Sequence, residues 1–408
     1  MRIAYLLPDP GIPVGGVKGA SVHVAEVCRA LRASGSTVLL VAMRVVGEPP
    51  DGVACAHLDP GPLSRGPEGE VARIAAAEDF FARAEPLVAD FRPDLVYERL
   101  SLFAGDGGAL AARLGVPRLL EVNAPVARER ARHFGLARRD AADALERRAL
   151  AGASIVAVSE PMADWATARG AVAAAVVPNG ADVERFAPER AATAAAAVRR
   201  GLGLDGAQVI GFAGSLKPWH GVEVLLEAVA RLAAERPRVR LLVVGDGPMR
   251  SRLEEWADDR LPGQAHFTGA VPNGDMPAYV GAFDIATAPY LPADDFYFSP
   301  LKVVEAMAAG RPVVASRFPS VAAMLGGNGS LVTPGDPDEL AAALADLLDH
   351  PDRARALGAA AQQRARRRYS WSAVAGRILD LARGLPAAPR HPLPPRDPAG
   401  LTERRVGG

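Results

Sequence analysis

Short apolar runs, each bounded by turn residues, alternate with longer alanine-rich stretches of helical periodicity along most of this 408-residue chain. This alternation is typical of α/β folds in which helices cover both faces of a parallel sheet. Candidate strands in the first half lie at 2–7, 37–43, 95–97, 118–122, 154–158 and 174–177. Those in the second half lie at 208–213, 240–244, 265–268, 284–288, 312–315 and 330–332. Twelve strands exceed what one open sheet usually holds, so we predict two doubly wound, Rossmann-like domains.

Turn residues at Pro178-Asn179-Gly180-Ala181-Asp182 mark the predicted joint between these domains. We predict an N-terminal domain over 1–185, a second domain over 186–370, and a helix over 371–386 that crosses back onto the first. The Pro-rich tail, 387–408, is predicted to be disordered because prolines disfavour helix and strand. Ligands of open parallel sheets bind beyond the carboxyl ends of the strands, so two facing domains would share one central cleft.

Composition favours a small-molecule partner. The 47 acidic residues balance the 47 basic ones, so no global charge attracts nucleic acid. Cys28 and Cys55 are too few for a disulfide framework or a thiolate metal site, which suits a reducing compartment. No run of about eighteen apolar residues is present, and Met1-Arg2 leads directly into a strand, so we expect a cytoplasmic protein.

The three lysines, Lys18, Lys217 and Lys302, each fall in a glycine- or proline-punctuated loop after a predicted strand, whereas every other basic residue is arginine. An ammonium is a compact point charge that approaches a phosphate where a planar guanidinium does not fit. The pattern therefore predicts anion sites in these loops. Chance placement of a few lysines is the alternative.

The first of these loops contains Gly15, Gly16 and Lys18 and precedes a helix for which Ser21 is the predicted N-cap. Glycines let backbone N–H groups approach an oxyanion, and a helix N-terminus adds partial positive charge. The loop is compatible with phosphate, but it lacks the G-x-G-x-x-G spacing of a dinucleotide site. The alternative is a flexible loop with a solvated lysine. His23 is interpreted as a packing or cap residue.

A second loop, 211–221, again joins a strand to an amphipathic helix. Pro218 and Gly221 are expected to fix its turn, and Lys217 and His220 are expected to reach an anion. The alternative is that its Lys and Trp simply cover a domain surface.

The third loop gives the sharpest pattern. Ser299 is a predicted N-cap, Pro300 suits the first helical position, and Gly310 ends the helix. Lys302 in the first turn opposes the helix dipole, and a bound anion would reverse that penalty. Glu305, one turn later, is placed to bind a pair of sugar hydroxyls. The alternative is a simple intrahelical Lys302–Glu305 pair.

Aspartates give weaker signals. Asp246, in Gly245-Asp246-Gly247, is either a ligand or a turn residue. Asp294-Asp295 is interpreted as a mobile, solvated loop. Because no clustered Asp pair resembles a metal-holding motif, we expect no metal site.

The ordered set of motifs resembles the retaining nucleotide-sugar glycosyltransferases of GT-B fold, family four (glycosyl transferases group 1), over about residues 1–380. The motifs that carry the resemblance are the Gly15-Gly16 loop, 178–182, 214–217 with Gly221, 245–247, and 299–302 with 305–310.

The resemblance implies that the second domain binds a nucleoside-diphosphate sugar and the first binds the acceptor. Glu305 would hold the ribose, the amides of 299–302 would contact the diphosphate, and Gly16 would approach it from the other domain. No cofactor is implied, and metal is optional. The implied donor-binding residues are Gly15, Gly16, Lys18, Ser215, His220, Gly221, Asp246, Gly247, Ala270, Val271, Ser299, Pro300, Leu301 and Glu305. The residues expected to act in catalysis are Lys217, Lys302, Asn123 and Glu98. The alternative for Glu98 is a structural role as the partner of Arg99.

Four positions depart from the family pattern. The first of the family's paired glutamates is replaced by Tyr297, and the usual Arg and Lys of the second loop are replaced by Ser215 and His220. The first-domain histidine near the reacting sugar corresponds to Asn123. The charge on the leaving group is therefore expected to be balanced by Lys217 and Lys302.

The segment after Asn123 is rich in arginine, with interleaved acidic residues; its basic members are Arg128, Arg130, Arg132, His133, Arg138, Arg139, Arg147 and Arg148. A solvated helix face explains this pattern. The alternative is recognition of an anionic acceptor, such as a lipid-linked phosphate at the inner face of a membrane. Carbohydrate and other small-molecule acceptors remain open.

Three other functions fit parts of the sequence. A dinucleotide oxidoreductase would use similar domains but needs the missing fingerprint. A nucleotide-sugar epimerase fits the phosphate loops but needs a clearer acid/base pair. A nucleotide-sugar-binding protein without catalysis fits the departures at Tyr297 and Asn123.

Overall fold

The computed structural model describes residues 1–16, 18–64 and 66–386. Its first sheet has seven parallel strands in the order β3-β2-β1-β4-β5-β6-β7. These strands are β1 (Arg2–Leu7), β2 (Thr37–Ala42), β3 (Ala54–His57), β4 (Leu95–Arg99), β5 (Arg118–Val122), β6 (Ser154–Ala157) and β7 (Ala173–Val176). The order reverses between β1 and β4, where open α/β sheets form their binding crevice.

Helices cover both faces of this sheet. They are α1 (Gly19–Ala33), α2 (Pro67–Phe91), α3 (Gly107–Arg113), α4 (Val126–Phe134), α5 (Arg139–Leu150) and α6 (Glu160–Thr167). One face is packed by α1, whose Val24, Val27 and Leu31 are buried. The other is packed by α2 through Phe80 and Phe81.

The second sheet has six parallel strands in the order β10-β9-β8-β11-β12-β13. They are β8 (Gln208–Ala213), β9 (Val239–Val244), β10 (Ala265–Phe267), β11 (Ile285–Ala288), β12 (Val313–Ser316) and β13 (Ser330–Val332). The helices of this half are α7 (Pro188–Gly201), α8 (Val222–Glu235), α9 (Arg250–Arg260), α10 (Met276–Gly281), α11 (Leu301–Ala308), α12 (Pro319–Leu325), α13 (Pro337–Asp349) and α14 (Pro351–Arg368). Two doubly wound sheets are therefore present, which confirms the predicted fold class.

A final helix, α15 (Trp371–Gly384), begins at the Ser370 N-cap, whose hydroxyl accepts a hydrogen bond from Ala373 N. Its apolar side is buried in the first-domain core beside α1. The predicted tail, 387–408, lies outside the described residues.

Each predicted strand corresponds to an observed one within about one or two residues at either end. The prediction missed β3, because Ala54-Cys55-Ala56-His57 is a short, partly exposed edge strand without a continuous apolar run. Edge strands need less apolar surface, so periodicity alone does not detect them.

Candidate site in the interdomain cleft

Two helix N-termini, one from each domain, meet in the cleft. A Cβ atom added to Gly19 at the start of α1 would lie 3.4 Å from Leu301 Cδ1 at the start of α11. Neither helix has a side-chain cap, and neither carries an acidic residue in its first turn. Both positive helix ends are therefore available to an anion.

The predicted N-caps Ser21 and Ser299 are wrong. Helix α1 already begins at Gly19, and the buried Ser21 hydroxyl has no hydrogen-bond partner. The Ser299 hydroxyl instead accepts from Asn179 N at 2.9 Å, and the Asn179 amide donates to Ser299 O at 2.7 Å. The interdomain segment thus fixes the start of α11 and leaves its first N–H groups without a side-chain partner.

Lys302 is the cation at the centre of this region. Its Nζ is buried without a hydrogen-bond partner, 3.9 Å from the centre of the Phe212 ring and 5.2 Å from that of Tyr290. Burial lowers the pKa of the ammonium to about 7, although the Glu305 carboxylate opposes this effect. A Cβ at Gly214, where φ is +141°, would lie 2.9 Å from Nζ, so glycine leaves room for the lysine.

Glu305 is also held in an apolar setting. Burial raises the pKa of its carboxyl to about 7, while Arg185 and Lys302 lower it. The intrahelical Lys302–Glu305 hydrogen bond is not made, since Nζ has no partner. Both groups therefore change ionisation close to neutral pH.

Of the two basic side chains in the loop after β8, only Lys217 carries a charge. The Nδ1 atom of His220 lies 2.5 Å from Ser215 O, and because a carbonyl only accepts, Nδ1 carries the proton. Burial, with Lys302 and Lys217 nearby, lowers the pKa of His220 to about 3, so the ring is neutral and its Nε2 can only accept. His220 therefore adds no positive charge for an anion. Lys217 Nζ lies 4.9 Å from the centre of the Trp219 ring.

The loops after β8 and β9 pack backbone against backbone. A Cβ at Gly245 would lie 2.0 Å from Gly214 O, and one at Gly247 would lie 2.6 Å from Leu216 N. Asp246 serves this turn, because its Oδ1 accepts from Gly247 N at 2.7 Å. Glycine is therefore required at positions 245 and 247, because the backbones of the two loops approach too closely to admit a side chain.

The remaining second-domain residues of the expected donor site lie along the same edge. Ala270 is exposed and Val271 is half-buried, directly after the bond from Gly245 N to Gly269 O. Gly221, with φ of +68°, immediately precedes α8, and a Cβ there would lie 1.8 Å from Pro289 O. The structure thus brings the loops after β8, β9, β10 and β11 to one edge.

On the first-domain side, Gly15 has φ of +78° and packs against Gly47, while Gly16 lies against Pro13 and Ser21. Lys18 is exposed at the start of α1. This loop therefore borders the cleft beside Leu301.

Asn123 follows β5 at the cleft edge, and its amide donates to Glu121, a buried carboxylate. Glu98 does not reach the cleft. It is fully buried on the opposite face of the sheet, where Arg118 Nε donates to its carboxylate at 2.6 Å, beneath Gly107. The expectation that Glu98 acts in catalysis is wrong, and its partner is Arg118 rather than Arg99.

Contacts across the cleft include residues that the sequence interpretation did not bring together. Arg128 and Arg132, one turn apart on α4, both pair with Asp295 of the second domain. The His133 and Trp219 rings lie 4.1 Å apart. Asp295 is therefore an interdomain partner, and its interpretation as a solvated loop is wrong. The complementary charges were visible in the sequence, but their pairing spans more than 160 positions.

Tyr297, at the position where the resemblance leads us to expect a glutamate, lies in the same region. Its backbone oxygen accepts from Ser159 Oγ at 2.7 Å, and its buried ring packs with first-domain core residues. Burial, and then the neighbouring Glu129 carboxylate, raise the pKa of its phenol. This position thus joins the two domains.

Three other arginines of the basic segment have partners within the first domain. Arg130 lies over the Phe134 ring, Arg147 pairs with Asp143, and Arg148 pairs with Asp106. These contacts agree with a solvated helix face for that part of the segment.

Among the described residues, no group of three His, Cys, Asp or Glu side chains is arranged to hold a metal ion. Over the same residues, no helix is both long and apolar enough to cross a membrane.

Both halves of the chain match models of known protein families. Residues 17–185 match the model of Glycosyltransferase Family 4, and residues 207–350 match that of Glycosyl transferases group 1. The MMP alpha-(1->4)-mannosyltransferase of Mycolicibacterium hassiacum is 34% identical over 178 residues, 42% of this chain and 42% of that protein. The D-inositol 3-phosphate glycosyltransferase of Corynebacterium urealyticum is 38% identical over 214 residues, 50% of this chain and 49% of that protein. The matches thus span about half the length of these relatives or less.

The fold has relatives among solved structures. Anabaena Alr3699/HepE, solved in complex with UDP, superimposes with a TM-score of 0.70 at 20% identity, covering 94% of this chain and 100% of that chain. Identity at this level is informative about the fold alone. The chain thus matches the Glycosyltransferase Family 4 model in its first part and the Glycosyl transferases group 1 model in its second, and its two domains have the GT-B fold.

Proposed function

We propose that this protein transfers a hexose-type sugar from a nucleoside-diphosphate sugar to an acceptor, with retention of anomeric configuration. The observation that carries the proposal is the buried, unpartnered Lys302 ammonium beside two uncapped helix N-termini. A diphosphate would give this lysine its missing partner and would complement both helix ends. The UDP complex of Alr3699/HepE, which has the same fold, supports a nucleotide donor.

In this mechanism the bond between the anomeric carbon and the diphosphate oxygen breaks, and its electron pair goes to the diphosphate. Lys302 and the amides at the start of α11 stabilise that charge as it develops. The acceptor hydroxyl oxygen bonds to the anomeric carbon on the same face, and its proton passes to the leaving phosphate oxygen. Glu305 holds the ribose from the same helix.

The acceptor is expected at the pocket between α4 and the loop before α11. Its lining combines charged side chains, including Arg128, Glu129 and Arg132, with the rings of Trp219 and Phe296. A polar acceptor with an apolar face fits such a lining. The relative named for inositol 3-phosphate supports a cyclitol or carbohydrate acceptor, and the relative named as a mannosyltransferase supports a hexose as the transferred sugar.

The first test is thermal stabilisation by UDP, GDP, ADP and dTDP, with and without EDTA. We expect one diphosphate to raise Tm without metal, and Lys302→Ala to abolish that rise. Arg231→Ala is the matched control, because this exposed cation pairs with Asp338 far along α8 from the cleft. Absence of any nucleotide effect in the wild type contradicts the donor site.

The matching nucleotide-sugars then distinguish the alternatives. Transfer with a retained anomeric coupling in the product NMR spectrum supports the proposal, and we expect Lys302→Ala to lower kcat by about 10²–10³-fold. Sugar isomerisation without acceptor would indicate an epimerase. Nucleotide-sugar binding without turnover, across an acceptor panel, would indicate a binding protein.

A further inference from the structure

A cluster of buried polar side chains surrounds one carboxylate beneath the cleft. Glu121, 1% exposed, has Oε1 at 2.7 Å from His23 Nε2 and at 2.6 Å from Arg99 Nη1. Its Oε2 accepts from Tyr5 OH at 2.8 Å. Burial alone would raise the pKa of this carboxyl, but His23 and Arg99 hold it well below its usual range. Glu121 is therefore a fixed anion.

The Asn123 side chain is hydrogen-bonded to this anion. It lies two residues after Glu121, just beyond the end of β5, and its Nδ2 donates to Glu121 Oε1. An ionised carboxylate only accepts hydrogen bonds, so the NH₂ group must face Glu121. The amide oxygen therefore faces the other way, at the carboxyl end of β5, and accepts no hydrogen bond from the described residues.

Aromatic rings pack around the side chains that contact Glu121. The rings of Tyr5 and Tyr97 pack edge to face at 4.9 Å, and those of His23 and Trp371 do so at 5.4 Å. His23 lies one turn into α1, the helix whose N-terminus borders the cleft. The cluster thus joins Asn123 to both α1 and the crossing helix α15.

We propose that Glu121 is a positioning residue that fixes Asn123, so that the Asn123 amide oxygen accepts a hydrogen bond from a hydroxyl of the transferred sugar. This inference rests on the proposed function and extends it to sugar selection. An oxygen fixed as an acceptor favours a sugar with a hydroxyl donor there. It disfavours a uronic acid, whose carboxylate would meet the amide oxygen and have no donor.

The test compares each nucleoside diphosphate with its sugar conjugate, using UDP, UDP-glucose, UDP-glucuronate, GDP and GDP-mannose. The variants are Glu121→Gln, Asn123→Leu and the double variant. Glu98→Gln is the matched control, because it alters a buried carboxylate on the opposite face of the same sheet. Circular dichroism and Tm establish that each variant is folded.

We expect each single variant to raise the Kd of the hydroxyl-bearing nucleotide-sugar about tenfold while leaving the Kd of the free diphosphate unchanged. The double variant should be no weaker than Asn123→Leu, because both changes remove one interaction. Glu98→Gln should not alter the ratio between sugar conjugate and diphosphate. If Glu121→Gln fails to fold, two measurements still test the inference. They are the ratio of sugar-conjugate to diphosphate affinity in Asn123→Leu and the preference of the wild type for UDP-glucose over UDP-glucuronate.

The inference is overturned if the variants weaken diphosphate and sugar conjugate equally, if their effects add, or if the glucuronate conjugate binds as well as the glucose conjugate. Failure of every diphosphate to bind the wild type has a different meaning. It would overturn the proposed function, and the inference with it.

Discussion

At the scale of single residues, the burial of Lys302 and Glu305 destabilises the ligand-free protein. The folded pKa of Lys302 is about 7 against an ordinary 10.5, so the unfolded chain binds more protons between these values. The destabilisation by Lys302 is thus complete below pH 7 and fades as pH rises to 10.5. Glu305 titrates at about 7 against 4.5, so its destabilisation grows as pH rises from 4.5 to 7.

Lys302→Met should therefore stabilise the protein while removing diphosphate binding. We expect Tm at pH 7 to rise by about 2–4 °C, because an unpartnered buried cation is replaced by an apolar side chain. The gain should shrink as pH approaches 10. Calorimetry from pH 6 to 10, with and without diphosphate, checks this, and a lower Tm for the variant at pH 7 would contradict the burial argument.

Binding of the diphosphate should depend on pH through the same two groups. Deprotonation of Lys302 weakens binding above pH 7, and protonation of Glu305 weakens its contact with the ribose below pH 7. We expect an affinity maximum near pH 7, with limbs of up to about tenfold per pH unit. Isothermal titration measures it. Lys302→Arg should flatten the alkaline limb and Glu305→Gln the acid limb, whereas unchanged limbs would assign the dependence to other groups.

At the scale of elements, the loops after parallel strands bring the site together, and most of them were predictable. Apolar runs identified the strands, and parallel topology then determined which loop ends share an edge. Caps were not predictable: the Ser299 hydroxyl accepts a hydrogen bond from Asn179 N, a contact across 120 positions. Glu98 faces away from the cleft because adjacent strand residues alternate, and its partner Arg118 lies on another strand.

Gly214→Ala tests the fit between the β8 loop and α11. A Cβ there meets Lys302 Nζ at 2.9 Å in a backbone conformation with φ of +141°, so the loop or the lysine must move. We expect a stability loss of about 1–3 kcal/mol and at least tenfold weaker diphosphate binding. Gly274→Ala is the control, since nothing lies within 4 Å of its added Cβ. Equal behaviour of the two variants in denaturant unfolding and titration would refute the close fit.

At the scale of the whole molecule, the two domains are held closed by contacts on both sides of the donor region. The Asn179–Ser299 bonds join the linker to α11. The pairs of Asp295 with Arg128 and Arg132 join α4 to the second domain across the cleft. The two arginines are about half exposed, so such pairs stabilise the closed form only modestly, which suits a cleft that must open.

Asp295→Ala should shift the protein toward an open cleft. Each exposed ion pair is worth about 0.2–1 kcal/mol, so losing two should favour opening and speed release of the nucleoside diphosphate about two- to thirtyfold. Small-angle scattering should give a larger radius of gyration, and stopped-flow displacement should give the release rate. Asp294→Ala is the matched control, because Asp294 is the exposed neighbour in the same loop. If both variants match the wild type, closure depends instead on the Tyr297 and His133–Trp219 contacts, and Trp219→Ala should then produce the faster release.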